Sequence, residues 1–140
     1  MGASANTGDE VIGLFGKWIN CYPIVSIEDE LAEHDWSDLA KMTAAMGEQI
    51  QIVGDDILVT NPRFIVRRIQ EKTCNAALIK LNQIGTVSET VNAMHLCRQA
   101  GWGFVVSLGS GRTEDIFISD FAVGCLERVA KNNRLREIDA

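Results

Sequence analysis

No apolar run in this chain approaches the ~20 residues that a membrane-crossing helix needs, and the opening MGASANTGDE has neither the basic start nor the apolar stretch of a secretion signal. Cysteine is scarce in any useful spacing. Cys21, Cys74, Cys97 and Cys125 stand far apart with no CxxC pair, which in a chain without a secretion signal predicts reduced core thiols rather than a disulfide frame or a zinc site. Basic residues are thin as well: 13 Lys and Arg against 19 Asp and Glu leave a formal net charge of −6, and only a mild cluster from Arg128 to Arg136 breaks the scatter. That balance argues against a nucleic-acid groove. Together these absences predict a cytoplasmic protein with no nucleic-acid and no membrane partner, free of low-complexity stretches and long linkers.

What is present suffices for one core of ordinary size, with 46% hydrophobic residues in a chain of 140. Residues 1–8 read as an irregular N-terminus and 9–140 as one domain. Within it, four polar residues each close a short apolar run: Glu28 after IVSI, Asp55 after IQIVG, Lys80 after AALI, and Ser107 at the end of FVVS. They recur at steps of 27, 25 and 27 residues. Such a step is one strand, one helix and two loops, so the four should lie at equivalent points of successive βα units, on one rim of a parallel sheet.

The helices fall where that scheme needs them. Residues Asp9 to Asn20 carry apolar residues at helical spacing and lead into IVSI, read as a strand buried on both faces. From Asp35, the segment DWSDLAKMTAAMG puts Trp36, Leu39, Met42, Thr43 and Met46 on one face, with Gly47 as a C′ stop. Thr60 or Asn61 can cap a helix with Pro62 in its first turn. NAALIKLNQ reads as the next strand, and Thr86 with Glu89 forms a capping box for a helix that runs to Ala100 and stops at Gly101. GFVVS, the loop LGSGR and a last helix in TEDIFISDFAVGCLERV complete the set. Four such units fit half of a (β/α)₈ barrel or a small doubly wound sheet, and a full barrel takes about 250 residues. Either way two sheet edges stay unpaired, open to a homo- or hetero-oligomeric partner.

The motifs SIED at 26 to 29, VGDDILVTNP at 53 to 62, LIKLNQIGTVSET at 78 to 90 and SGRTED at 110 to 115 resemble, in order and spacing, the C-terminal barrel of enolase, the phosphopyruvate hydratase family. The resemblance implies the fold class α/β, a partial (β/α)₈ TIM-type barrel of about four consecutive βα units preceded by a helix. It also implies the glycolytic reaction, reversible Mg²⁺-dependent dehydration of 2-phosphoglycerate to phosphoenolpyruvate. By motif position Glu28 and Asp55 correspond to metal ligands, Lys80 to the base, and Ser107 and Ser110 to substrate contacts. The residue types suit that chemistry. Taking a proton from the carbon beside a carboxylate piles up negative charge that hard cations offset, carboxylate oxygens hold such cations, and a lysine near them can be neutral enough to act as base.

The sequence also departs from the family's pattern. Where the family reads Ser-His-Arg-Ser-Gly-Glu-Thr-Glu-Asp, this chain has Leu108 for the histidine and Gly109 for the phosphate-binding arginine. The strand with the lysine that grips the substrate carboxylate would stand at Cys125, where a block of about ten residues is gone by the same spacing logic. Glu30 replaces a proline after SIED. The family's third metal-binding aspartate and its acid-side carboxylate lie outside the matching stretch. These losses predict a chain that does not turn over substrate alone, and they raise the alternative of a catalytically inactive enolase-like remnant acting as an assembly or binding module. Among the other candidates, Glu28, Asp55 and Lys80 could be a rim ion-pair cluster, Asp56 should point away, and His34 and His95 read as ordinary surface or core residues. LGSGR alone is a weak phosphate signal, and Trp18, Trp36 and Trp102 read as core packing.

Overall fold

A reciprocal capping box starts the first helix: Thr7 Oγ1 accepts from the Glu10 backbone N–H at 3.3 Å, and the Glu10 carboxylate accepts from the Thr7 N–H at 2.8 Å. The computed structural model describes residues 7–29, 31–32, 34–107 and 116–125. Helix α1 spans Gly8–Cys21 and is followed by strand β1 (Ser26–Glu28), helix α2 (Trp36–Met46) and strand β2 (Gln51–Gly54). Helix α3 (Pro62–Glu71), strand β3 (Ala76–Lys80), the short helix α4 (Leu81–Ile84), helix α5 (Val87–Gln99), strand β4 (Gly103–Ser107) and helix α6 (Phe117–Cys125) complete the order.

The strands pair in sequence order, β1-β2-β3-β4, and every pairing is parallel. A doubly wound sheet reverses its strand order at a switch point, and no reversal exists among the described strands. The helices share one face: Leu39, Met42 and Met46 of α2, Ile65 of α3, Ala93, Met94 and Cys97 of α5 and Phe121 of α6 form a single buried cluster with Ile52, Ala77, Ile79 and Val106. The alternate strand residues Val53, Ala76 and Leu78, with Val105 against them, form a second, smaller cluster. Helices outside and a separate strand face inside are the layers of a β/α barrel wall.

Local chemistry explains the boundaries. Asn61 caps α3 by accepting from the Arg63 N–H at 3.0 Å, with Pro62 in the first turn. Thr86 caps α5 by accepting from the Glu89 N–H at 3.2 Å, and its hydroxyl meets the Glu89 carboxylate at 2.6 Å. The Arg68 guanidinium lies 3.6 Å from the Trp36 ring centroid and locks α3 to α2, and its burial holds the Arg68 pKa below the ordinary value.

Four expectations need correction. β1 is not buried on both faces: it lies at the sheet edge with only β2 beside it among the described strands, so Ser26 and Glu28 are exposed and Val25 before them is 76% exposed. The third strand stops at Lys80 and Leu81–Ile84 turns into a helix, closed by Gly85 at φ 93°. Gly47 ends α2 in the right-handed conformation rather than the left-handed one. Close approach explains its lack of a side chain, since a Cβ there would stand 2.5 Å from the Thr43 carbonyl oxygen. Trp18 is 42% exposed and packs edge-on to Phe15 instead of entering the core.

Candidate active site at the carboxyl rim of the sheet

Strand register brings the candidate residues together. Glu28 stands beside Val53, Val53 beside Ala76, Ala76 beside Gly103, and Lys80 beside Ser107. Side chains alternate along a strand, so Glu28, Lys80 and Ser107 share the face of Val53, Leu78 and Val105, opposite the helices. Asp55, two residues beyond Val53, joins them. Lys80 Nζ donates to Asp55 Oδ2, and the two side chains are 17% and 7% exposed. Oxygens of Glu28, Asp29 and Asp55 all lie within 4.8 Å of one another. Ser110 and the LGSGR loop from Leu108 to Arg112 fall outside the described residues, as does any structure of the segment after Cys125.

Three residues of this cluster escaped the sequence reading. Asp29 follows Glu28, and strict alternation would turn it to the opposite face. However, β1 ends at Glu28, and Asp29 adopts φ 48°, which breaks the alternation and swings its carboxylate over the start of the next loop. There its two oxygens accept from the Asp55 N–H at 3.0 Å and the Asp56 N–H at 3.4 Å. Asp56 itself is exposed. Gln83 was read as strand, but the helical turn after Lys80 carries it back so that Nε2 donates to Asp55 Oδ1 at 3.4 Å. Thr60 does not cap α3; it is fully buried at the site, accepting the Lys80 backbone N–H at 2.8 Å and donating to Gln83 Oε1 at 3.0 Å.

The loop carrying Thr60 is strained. Val59 and Thr60 sit at φ 42° and 56°, a region that costs β-branched residues about 1–3 kcal/mol each and persists where the surroundings fix it. Here the Leu58 and Val59 N–H groups both donate to the Asp55 carbonyl, at 2.9 and 2.8 Å. Backbone strain is concentrated in the loop that begins with the aspartate.

The donor set fits a hard divalent cation. Three carboxylates offer oxygens that all lie within 4.8 Å of one another, and carboxylate oxygens are the ligands such a cation takes. His34 and His95 are exposed, and neither belongs to a described acidic or cysteine cluster that could hold a metal. Among the described residues, no disulfide joins Cys21, Cys74, Cys97 or Cys125.

A wall of parallel strands in sequence order, helices on its outer side and a lysine–carboxylate cluster where the strands end, defines part of a β/α barrel with its chemistry at the usual rim. Comparison with known proteins supplies the family. Residues 2–138 match the enolase C-terminal TIM barrel domain, and the chain belongs to that family. It is 58% identical to Enolase 1 of Methylococcus capsulatus over 151 positions, 49% to the enolase of Desulfotalea psychrophila and 47% to that of Solanum lycopersicum, each over 150 positions. These alignments take in 99% of this chain but only 36%, 36% and 34% of the relatives, so the chain spans about a third of their length. With 151 aligned positions against 140 residues, at least 11 positions of the first relative have no counterpart here. Among the described residues no helix is long and apolar enough to cross a membrane.

Proposed function

We propose that this rim is the metal-and-base part of an enolase site, directed at the reversible, Mg²⁺-dependent dehydration of 2-phosphoglycerate to phosphoenolpyruvate in the cytoplasm. The observation that carries the reading is the meeting of Lys80 with Asp55 beside Glu28. Lys80 is the one cation among them and the base suited to take the proton from the carbon next to the substrate carboxylate. Glu28 and Asp55 would hold Mg²⁺, which when bound supplies positive charge to that carboxylate as negative charge develops on it. Asp29 and Thr60 keep the loop and the lysine backbone in place. Ser107, at the end of β4 next to Lys80, is within the same rim and offers a hydroxyl to the substrate. Ser110 is a second substrate contact on the strength of its motif alone.

Affinity for the substrate's two anionic groups is the weak point. Leu108 and Gly109 stand where the family has a histidine and the phosphate-binding arginine. A lost charge-assisted clamp on a phosphate costs about 1.5–3 kcal/mol per hydrogen bond, more where the pair was bidentate. We therefore expect this chain by itself to produce phosphoenolpyruvate at a trace rate at most. The purified chain, given 2-phosphoglycerate and Mg²⁺ and followed by phosphoenolpyruvate absorbance, tests both halves. A trace rate abolished by Lys80→Ala supports the site assignment; brisk turnover would refute the weak-binding half, and turnover indifferent to Lys80→Ala would refute the base.

A second reading rests on the exposed edge at β1. Tyr22 and Val25 are 62% and 76% exposed beside a strand with one described neighbour, which suits a chain that pairs with another subunit as an inactive assembly module. Sedimentation of the purified chain distinguishes this, since a monomer at all concentrations contradicts it.

A further inference from the structure

Lys80 reaches Asp55 by two routes. Its Nζ donates to Asp55 Oδ2 directly. Its backbone N–H donates to Thr60 Oγ1, that hydroxyl donates to Gln83 Oε1, and Gln83 Nε2 donates to Asp55 Oδ1. The four residues close a ring that holds both oxygens of one carboxylate.

Hydrogen-bond inventory leaves this ring a single direction. The Thr60 hydroxyl has one proton and already accepts from Lys80, so the proton goes to an acceptor, the amide oxygen of Gln83. That turns the Gln83 NH₂ toward Asp55. A flipped amide would set oxygen against carboxylate at one end and leave the buried Thr60 proton facing NH₂ at the other. Thr60 is fully buried, and the left-handed Val59-Thr60 pair aims its hydroxyl inward.

We propose that Gln83, backed by Thr60, is a positioning residue for this site: it fixes the plane of the Asp55 carboxylate, keeps Oδ2 turned to Lys80, and so sets the direction in which the remaining lone pairs of the two oxygens face a cation. The purpose of that orientation rests on the metal-and-base reading; the ring itself does not. Partners of this kind commonly control metal affinity 10- to 100-fold.

Two measurements on the full chain separate the possibilities. In ¹H–¹⁵N spectra without metal, Asp55→Asn and Thr60→Val should each move the Gln83 side-chain NH₂ pair, Thr60→Val should also move the Lys80 amide, and Thr60→Ser, which keeps the hydroxyl, should restore both. A Gln83 pair at free-amide positions and indifferent to these substitutions overturns the ring. In Mn²⁺ titrations followed by electron paramagnetic resonance, Gln83→Leu should weaken binding at least about tenfold while Thr60→Ser stays within about twofold, with the melting curve of Gln83→Leu showing it fully folded at the titration temperature. Equal Mn²⁺ affinity in Gln83→Leu and the unsubstituted chain overturns the positioning role. Absence of Mn²⁺ binding in the unsubstituted chain sinks the metal reading instead, and the spectra still decide the ring.

Discussion

Lys80 and Asp55, 25 residues apart in sequence and on neighbouring strand ends, form an ion pair in which neither side chain is more than 17% exposed. Burial makes this pair differ from the surface pair of Lys41 and Asp38, whose lysine is 56% exposed and whose contribution is screened. Removing one partner leaves the other charge poorly solvated. Asp55→Ala should therefore cost about 3 kcal/mol by urea unfolding. Lys80→Met in the same background should add little, since the stranded charge is then gone. Additive losses in the double variant would show that the two charges do not interact.

On the proposed metal reading, Mg²⁺ would take oxygens of the same carboxylate that Lys80 holds. A ligand that binds only the folded chain stabilises it by about 2.7 kcal/mol at 100 times its dissociation constant, so Mg²⁺ should raise stability by that much and a chelator should reverse it. Glu28→Gln and Asp55→Asn should each remove the effect. Thermal melts with and without Mg²⁺ check it, and a midpoint indifferent to Mg²⁺ counts against the site.

Much of this arrangement was legible in the residues because strand-end spacing and side-chain alternation are local rules. A period of one βα unit was enough to bring Glu28, Lys80 and Ser107 to one face, and the caps at Asn61 and Thr86 follow from side-chain oxygens that satisfy orphan N–H groups. Asp29, Thr60 and Gln83 were hidden by the same rules. Asp29 and Thr60 depend on left-handed backbone that non-glycine residues seldom adopt, and Gln83 on a one-turn helix too short to show a period. The exposure of β1 could not be read either, since an apolar strand looks alike at an edge and in the middle of a sheet.

Asn75 ties three elements at the opposite end of the sheet. Its Oδ1 accepts the Ile52 N–H at 2.7 Å, and its Nδ2 donates to the Gly47 and Ile50 carbonyls at 2.7 and 3.1 Å. Ile52 is fully buried, so Asn75→Ala strands an N–H that water cannot reach. The expected loss is about 1–3 kcal/mol by urea unfolding. Asn75→Asp keeps the acceptor but sets a carboxylate against two carbonyls, so its loss should be as large at neutral pH and should ease as acid restores a donor.

Cys97 predicts the alkaline limit of the fold. The thiol is buried among Ala93, Met94 and the strands beneath α5, and burial pushes its pKa up to about 12 from an ordinary 9.0. The neutral form is thus favoured in the folded state, so the unfolded chain loses this proton first. Stability from Cys97 is complete below pH 9, falls as pH rises between 9 and 12, and is gone above that. The loss over this window is as much as about 4 kcal/mol, at 1.36 kcal/mol for each tenfold change in proton affinity. Cys97→Ala should cost stability at pH 7 through lost packing yet show a flatter fall with pH. The difference between the two urea-unfolding curves from pH 8 to pH 11 isolates the thiol. Parallel curves would mean that the Cys97 thiolate is tolerated inside the fold.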